Sequence, residues 1–120
     1  MKYEEMKNLL SMIPDPVEKL EVVMDFGKQM TEVPSDAVCT EIVGCASYAE
    51  ICRKGNKFYG RADSALVRGI VAILTAMVDG KSAEEIKNMD LYEEFMSLNI
   101  NLGTGRLGGL NSMIRFLKNL

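Results

Sequence analysis

The chain has 120 residues, 48% of them hydrophobic and 26% charged, with a formal net charge of -3 at pH 7. That length fits one domain spanning residues 1–120 with a single modest core. The weak acidity argues against general nucleic-acid binding, which needs an excess of Lys and Arg to neutralise phosphates.

Histidine is absent, which excludes Cys–His and Ser–His–Asp chemistry. The longest apolar run, Ile70 to Leu74, is far too short to cross a bilayer. The opening Met1-Lys2-Tyr3-Glu4-Glu5 lacks signal-peptide character. These features point to a cytoplasmic location with no membrane association. Three cysteines cannot all pair within the chain, and free thiols are the default in a reducing cytosol.

In chain order, Lys2 to Met12 reads as a short amphipathic helix, with Met6, Leu9, Leu10 and Ile13 at helical spacing. A second helix starts at Asp15-Pro16 and runs to about Met30. Asp15 is the N-cap, Pro16 suits the first helical position, and Glu18 would complete a capping box. The segment Val38 to Val43 is rich in β-branched residues and reads as a strand. Tyr48 to Arg53 and Lys57 to Arg61 read as two more, joined by a turn at Lys54-Gly55-Asn56.

Helices resume at Asp63, taken as the cap of a run that is apolar almost all round from Leu66 to Met77 and is therefore central. Gly80 ends it. Ser82 with Glu85 and Asp90 with Glu93 mark two short helices by their capping-box spacing. A glycine-rich stretch from Leu102 to Arg106 leads into a last helix with Leu107, Leu110, Met113, Ile114 and Leu117 on one side. The order ααβββαααα implies an α+β fold, a three-stranded antiparallel sheet packed against helices. The nine methionines suit an adaptable core.

The candidate for chemistry is Cys45, in Val43-Gly44-Cys45-Ala46-Ser47 between the first two strands. A hairpin tip presents a thiol to other proteins, and Gly44 permits the backbone angles of a tight turn. The pattern leaves two readings open, a working thiol and an ordinary buried cysteine. At the unperturbed pKa only about 3% of a thiol is ionised at pH 7. Arg106, at the start of the last helix, is the cation chosen to favour the thiolate. Asp63 would oppose it if close, and its other reading is a helix cap alone. Arg106 could equally be a solvated surface side chain.

If the hairpin pairs Gly44 with Ser47, Cys39 lies directly opposite Cys52, close enough to touch and bridged only with adjustment. Both would lie about 20 Å from Cys45 at ~3.3 Å per residue, so the three cysteines form no common metal site. The favoured reading for the pair is small apolar residues on a partly buried face.

Four segments in this order resemble the SufE family of sulfur-acceptor proteins. Ile42 to Ser47 is similar to its G-C-x-S loop. Gly60-Arg61-Ala62-Asp63-Ser64-Ala65-Leu66-Val67-Arg68-Gly69 is similar to its G-x-x-D-[SA]-x-[IL]-V-[KR]-G segment. Arg106 with Gly109-Leu110 resembles R-x-x-G-[LM], and Met113-Ile114-Arg115 continues that helix.

The resemblance implies a SufE/IscU-like fold. It also implies a carrier that takes persulfide sulfur from a pyridoxal-phosphate cysteine desulfurase onto Cys45, stimulates that enzyme and relays sulfur to an iron–sulfur scaffold. Gly44, Ser47, Asp63 and Arg106 would be the supporting residues. No cofactor or metal of its own is expected, and the oligomeric state would be a monomer or weak homodimer. The chain departs from the family pattern at Glu50, where an aromatic, often tryptophan, is usual. Cys39 and Cys52 lie outside the family's motifs, and the chain is short before the first of them. The alternatives are an iron–sulfur scaffold, suggested by the three cysteines, and a desulfurase adaptor that uses no thiol.

Overall fold

The computed structural model describes residues 1–45, 47–103 and 107–120. Two helices come first, α1 (Tyr3–Ser11) and α2 (Pro16–Lys28). Three strands follow, β1 (Val38–Glu41), β2 (Ala49–Lys54) and β3 (Lys57–Ala62). The chain closes with α3 (Ala65–Val78), α4 (Ala83–Lys87), α5 (Leu91–Met96) and α6 (Leu107–Lys118). The order and type of every element agree with the expectation from the sequence.

The helix starts follow local chemistry. Asp15 caps α2 by accepting from Val17 N at 3.0 Å, with Pro16 at the first position. The bond goes to the second amide of the helix, so the box expected with Glu18 is not the device used. Ser82 and Glu85 do form the reciprocal capping box of α4. Asp90 caps α5 through Glu93 N at 3.1 Å.

The cap of α3 is Ser64 and not Asp63, a correction to the sequence reading. The Asp63 amide donates to the Tyr48 carbonyl at 3.1 Å, prolonging the hairpin beyond the Ala49–Ala62 rung. The helix therefore starts one residue later, with the Ser64 hydroxyl accepting from Val67 N at 3.4 Å.

The sheet has the order β1-β2-β3, both pairs antiparallel. Cys39 faces Cys52 and Thr40 faces Ile51, the register expected from supposing Gly44 opposite Ser47, although the ladder itself ends at Glu41–Glu50. Helix α3 lies against β2 and β3, and α2 lies against α3. The helices come close because Gly27 meets the backbone of Arg68 and Gly69, and Gly69 leaves no room for a Cβ against the Val23 carbonyl. Of the apolar run expected on α3 from Leu66 to Met77, Val67, Ile70, Val71, Ile73, Leu74 and Met77 are buried and Leu66 is partly buried. Helix α6 packs on α3, α4 and α5 through Leu110, Met113, Ile114 and Leu117, and Lys118 Nζ donates to the Met89 carbonyl at 2.7 Å. Among the described residues no helix is long and apolar enough to cross a membrane.

Candidate functional site

The loop between β1 and β2 is longer than a tight turn. Regular strand stops at Glu41 and restarts at Ala49, and one further bond, Ile42 N to Ala49 O at 2.8 Å, closes the base. The loop does not stand out into solvent as the sequence suggested. It folds onto the first turns of α6. Gly44 has φ of +103°, a conformation that favours glycine. A Cβ on Gly44 would also lie 2.5 Å from Ser112 Oγ, and one on Gly108 would lie 3.7 Å from the Gly44 carbonyl.

Cys45 is half-buried and packs against the main apolar core. Its Sγ would be only 3.1 Å from a Cβ placed on Gly109. The thiol thus rests in a seat made by a missing side chain on α6. Burial pushes its pKa up, because the charged form loses hydration. The thiol expected at an exposed tip is therefore half-buried, on a loop seated against α6.

The other expected site residues are partly gathered here. Gly44 and Ser47 share the loop with Cys45. Ser47 Oγ is buried and has no hydrogen-bond partner among the described residues. Asp63 is exposed, and among the described residues its link to the loop is its backbone bond to Tyr48. Arg106 lies outside the described residues.

Cys39 and Cys52 are joined by a disulfide, with Cα atoms 4.0 Å apart. The expectation of free thiols thus fails for this pair. The register explains why, since it sets the two side chains face to face on adjacent strands. Cys45 is the one free cysteine, so the three thiols do not assemble into one site.

Two features were missed from sequence. One is the glycine seat. Gly108-Gly109 falls inside a helix, where glycine is unfavourable, and such a pair signals a close approach. The other is a polar cluster at the C-terminal side of the loop. Glu50 is 8% exposed on β2. It accepts from the Tyr48 hydroxyl at 2.7 Å and from Arg61 at 2.6 Å. The Tyr48 bond, then Arg61, hold its carboxyl below the usual range, against the opposing effect of burial. Glu50 and Arg61 form a rung of the β2–β3 ladder because the turn has two residues, Gly55-Asn56, one fewer than the three read from the sequence. Beside the loop, Val43 is 82% and Tyr48 42% exposed.

A cavity of about 300 Å³ lies elsewhere, lined by Met6, Phe26, Met30, Phe58 and Thr75 among others, and includes no residue of this loop.

Comparison with known proteins gives a consistent result. The family described as SufE, an Fe-S metabolism associated domain, matches residues 4–120. An uncharacterized SufE-like protein of Rhizobium meliloti (strain 1021) is 33% identical over 108 residues, covering 80% of this chain and 77% of the relative. The sulfur acceptor protein CsdE of Escherichia coli (strain K12) is 28% identical over 120 residues, covering 92% and 81%. The solution structure of a hypothetical protein from Thermus thermophilus is similar with a TM-score of 0.73, over 98% of this chain and 90% of that one, at 15% identity. That last likeness concerns the fold alone.

Proposed function

The chain belongs to the SufE family, matched over residues 4–120, and from that premise we propose that it is a sulfur acceptor in Fe–S metabolism whose accepting atom is Cys45 Sγ. The observation that carries this reading is that Cys45 is the one free cysteine, on the loop seated against Gly109. The similarity to a protein named as a sulfur acceptor supports it.

The donor is a cysteine desulfurase carrying a cysteine persulfide. Cys45 first loses its proton. Its thiolate then attacks the terminal sulfur of the donor persulfide, a new S–S bond forms, the donor's S–S bond breaks, and the donor cysteine leaves as thiolate. Cys45 ends as a persulfide, which a scaffold downstream consumes. The chain needs no cofactor of its own for this step. Under the same reading it works in the cytoplasm, as a monomer or weak homodimer.

The seat gives the cycle its control. At rest the thiol is sheltered and burial raises its pKa, so stray electrophiles meet less thiolate. Transfer requires the loop to leave α6, and a partner binding the open form shifts the population that way. Exposed Val43 and Tyr48 flank the loop and offer that partner apolar contact. The buried Ser47 hydroxyl, unpartnered in the closed form, gains a partner or water on opening. Arg106, from the family motif, is the cation assigned to the open thiolate, and Asp63 and Gly44 support the loop.

Desulfurase turnover tests the mechanism. Wild-type protein stimulates the enzyme, and Cys45→Ser does not. Full stimulation by Cys45→Ser would make the chain an adaptor that uses no thiol.

A further inference from the structure

The Cys39–Cys52 bridge has no part in the transfer step, yet it encloses the loop that makes it. The two residues are separated by 13 positions with Cys45 between them. Cys39 is exposed on the edge strand β1, whereas Cys52 is fully buried on β2. The bridge thus runs from an exposed residue, the end for a reductant to approach, to a sheltered one.

The arm that leads into the loop is lightly held. Between Thr31 and Cys45 only Ile42 is buried. Among the described residues its other ties are the ladder bonds, the Ile42–Ala49 bond, the contact of Gly44 and Cys45 with α6, the exposed Lys54–Asp36 ion pair at 3.0 Å and the disulfide. An exposed ion pair contributes little, so the bridge is a main restraint on the arm.

We propose that Cys39–Cys52 is a redox site, opened by a dithiol reductant, whose state sets how readily Cys45 leaves its seat. The inference deepens the acceptor reading, since it concerns access to the same thiol.

The chemistry balances without further components. A thiolate of the reductant attacks Cys39 Sγ, the protein S–S bond breaks, and Cys52 leaves as thiolate and takes a proton. The reductant's second thiolate attacks its own sulfur in the mixed disulfide, and Cys39 leaves and is protonated. Two electrons and two protons pass to the protein, and the reductant becomes a disulfide. In a reducing compartment a bridge of this kind is transient and suited to sensing.

Metal binding is the less favoured use of the same place. Glu50 and the two sulfurs lie within 4.8 Å of one another. However, both Glu50 oxygens are already engaged by Tyr48 and Arg61, the guanidinium repels a cation, and the sulfurs are bonded to each other.

The test compares three forms of the full chain: bridged wild type, reduced wild type and Cys39→Ser. Cys39→Ser removes the bridge at its exposed end and leaves the buried Cys52 in place. Wild type is poised in graded mixtures of reduced and oxidised dithiothreitol, and bridge content is read from free thiols by mass. The rate of iodoacetamide labelling at Cys45 is then measured in each form.

The expected result is a reversible bridge, with Cys45 labelled several-fold faster in reduced wild type and in Cys39→Ser than in the bridged form. A bridge that never forms in the oxidising mixtures, or equal Cys45 rates in all three forms, would overturn the proposal. So would one equivalent of zinc held by the reduced protein that keeps the bridge from re-forming. Alkylation does not depend on sulfur transfer. Equal rates in a protein that still accepts sulfur from a desulfurase would therefore remove the redox inference and leave the acceptor role standing.

Discussion

Thr40 on β1 and Ile51 on β2 are direct cross-strand partners, but Thr40 is exposed and Ile51 is fully buried. The contrast extends along both strands. All four residues of β1 are exposed, whereas Ala49 to Cys52 of β2 are all buried. β2 lies between two strands and against α3, so it belongs to the platform. β1 is an edge with no buried side chain, so it belongs to the arm. The Cys45 loop joins the buried strand to the exposed one, and it is seated on α6. The carrier role proposed for Cys45 would use such a division, with the loop moving while the sheet stays formed.

The sharpest test of the division substitutes the two partners separately. Ile51→Ala deletes core volume and is expected to destabilise the fold by about 3–4 kcal/mol. Thr40→Ala, on the same rung, is expected to change stability by no more than about 0.5 kcal/mol. Urea denaturation of both variants gives the comparison directly. Similar losses would mean that β1 is part of the platform.

The bridge comes next. Cys39→Ser frees a loop closed across 13 positions and is expected to lower stability by about 2–3 kcal/mol relative to the bridged form. The difference should vanish when both proteins are measured under strong reduction.

Gly109→Ala acts on the seat. The added Cβ would stand 3.1 Å from Cys45 Sγ, and it replaces a glycine in a helix, where alanine is favoured by about 1 kcal/mol. The expected outcome is stability near wild type with Cys45 alkylation several-fold faster. Wild-type labelling should rise with pH to a midpoint above that of an ordinary thiol, since burial raises the Cys45 pKa. In Gly109→Ala the midpoint should move down towards the ordinary value.

The smallest effect is at Glu50. Its folded-state pKa is lowered, first by the Tyr48 hydroxyl and then by Arg61. A lowered carboxyl pKa stabilises the fold at pH values above the unfolded pKa, and that contribution is lost as pH falls through the folded one. Arg61 is 57% exposed, so solvent screens the pair and the gain at neutral pH is about 1 kcal/mol or less. Wild type should lose stability more steeply than Glu50→Gln as the pH drops below about 4.

Most of the architecture was legible in the sequence because its signals are local. The apolar run from Val67 to Met77 could only be a buried helix, and Asp15, Ser82 and Asp90 marked helix starts by spacing. Pairing around one turn set the whole β1–β2 register, including Cys39 against Cys52. What was not legible depended on contacts between distant segments. The Cys45 loop looked like an exposed tip because nothing near it in sequence says that Gly109, on the last helix, is its seat. Asp63 looked like a helix cap because the competing bond from its amide goes to Tyr48, in the loop that precedes β2. The disulfide agrees with the register expected from the sequence, while the expectation of reducing surroundings argued for free thiols.

The most direct measurement is the intact mass, with peptide mapping, of the protein after incubation with a cysteine desulfurase, cysteine and pyridoxal phosphate. The expected result is one added sulfur on Cys45, removable by a reductant and missing from Cys45→Ser. No added sulfur on the wild type, or undiminished loading of Cys45→Ser, would contradict the role assigned to this thiol.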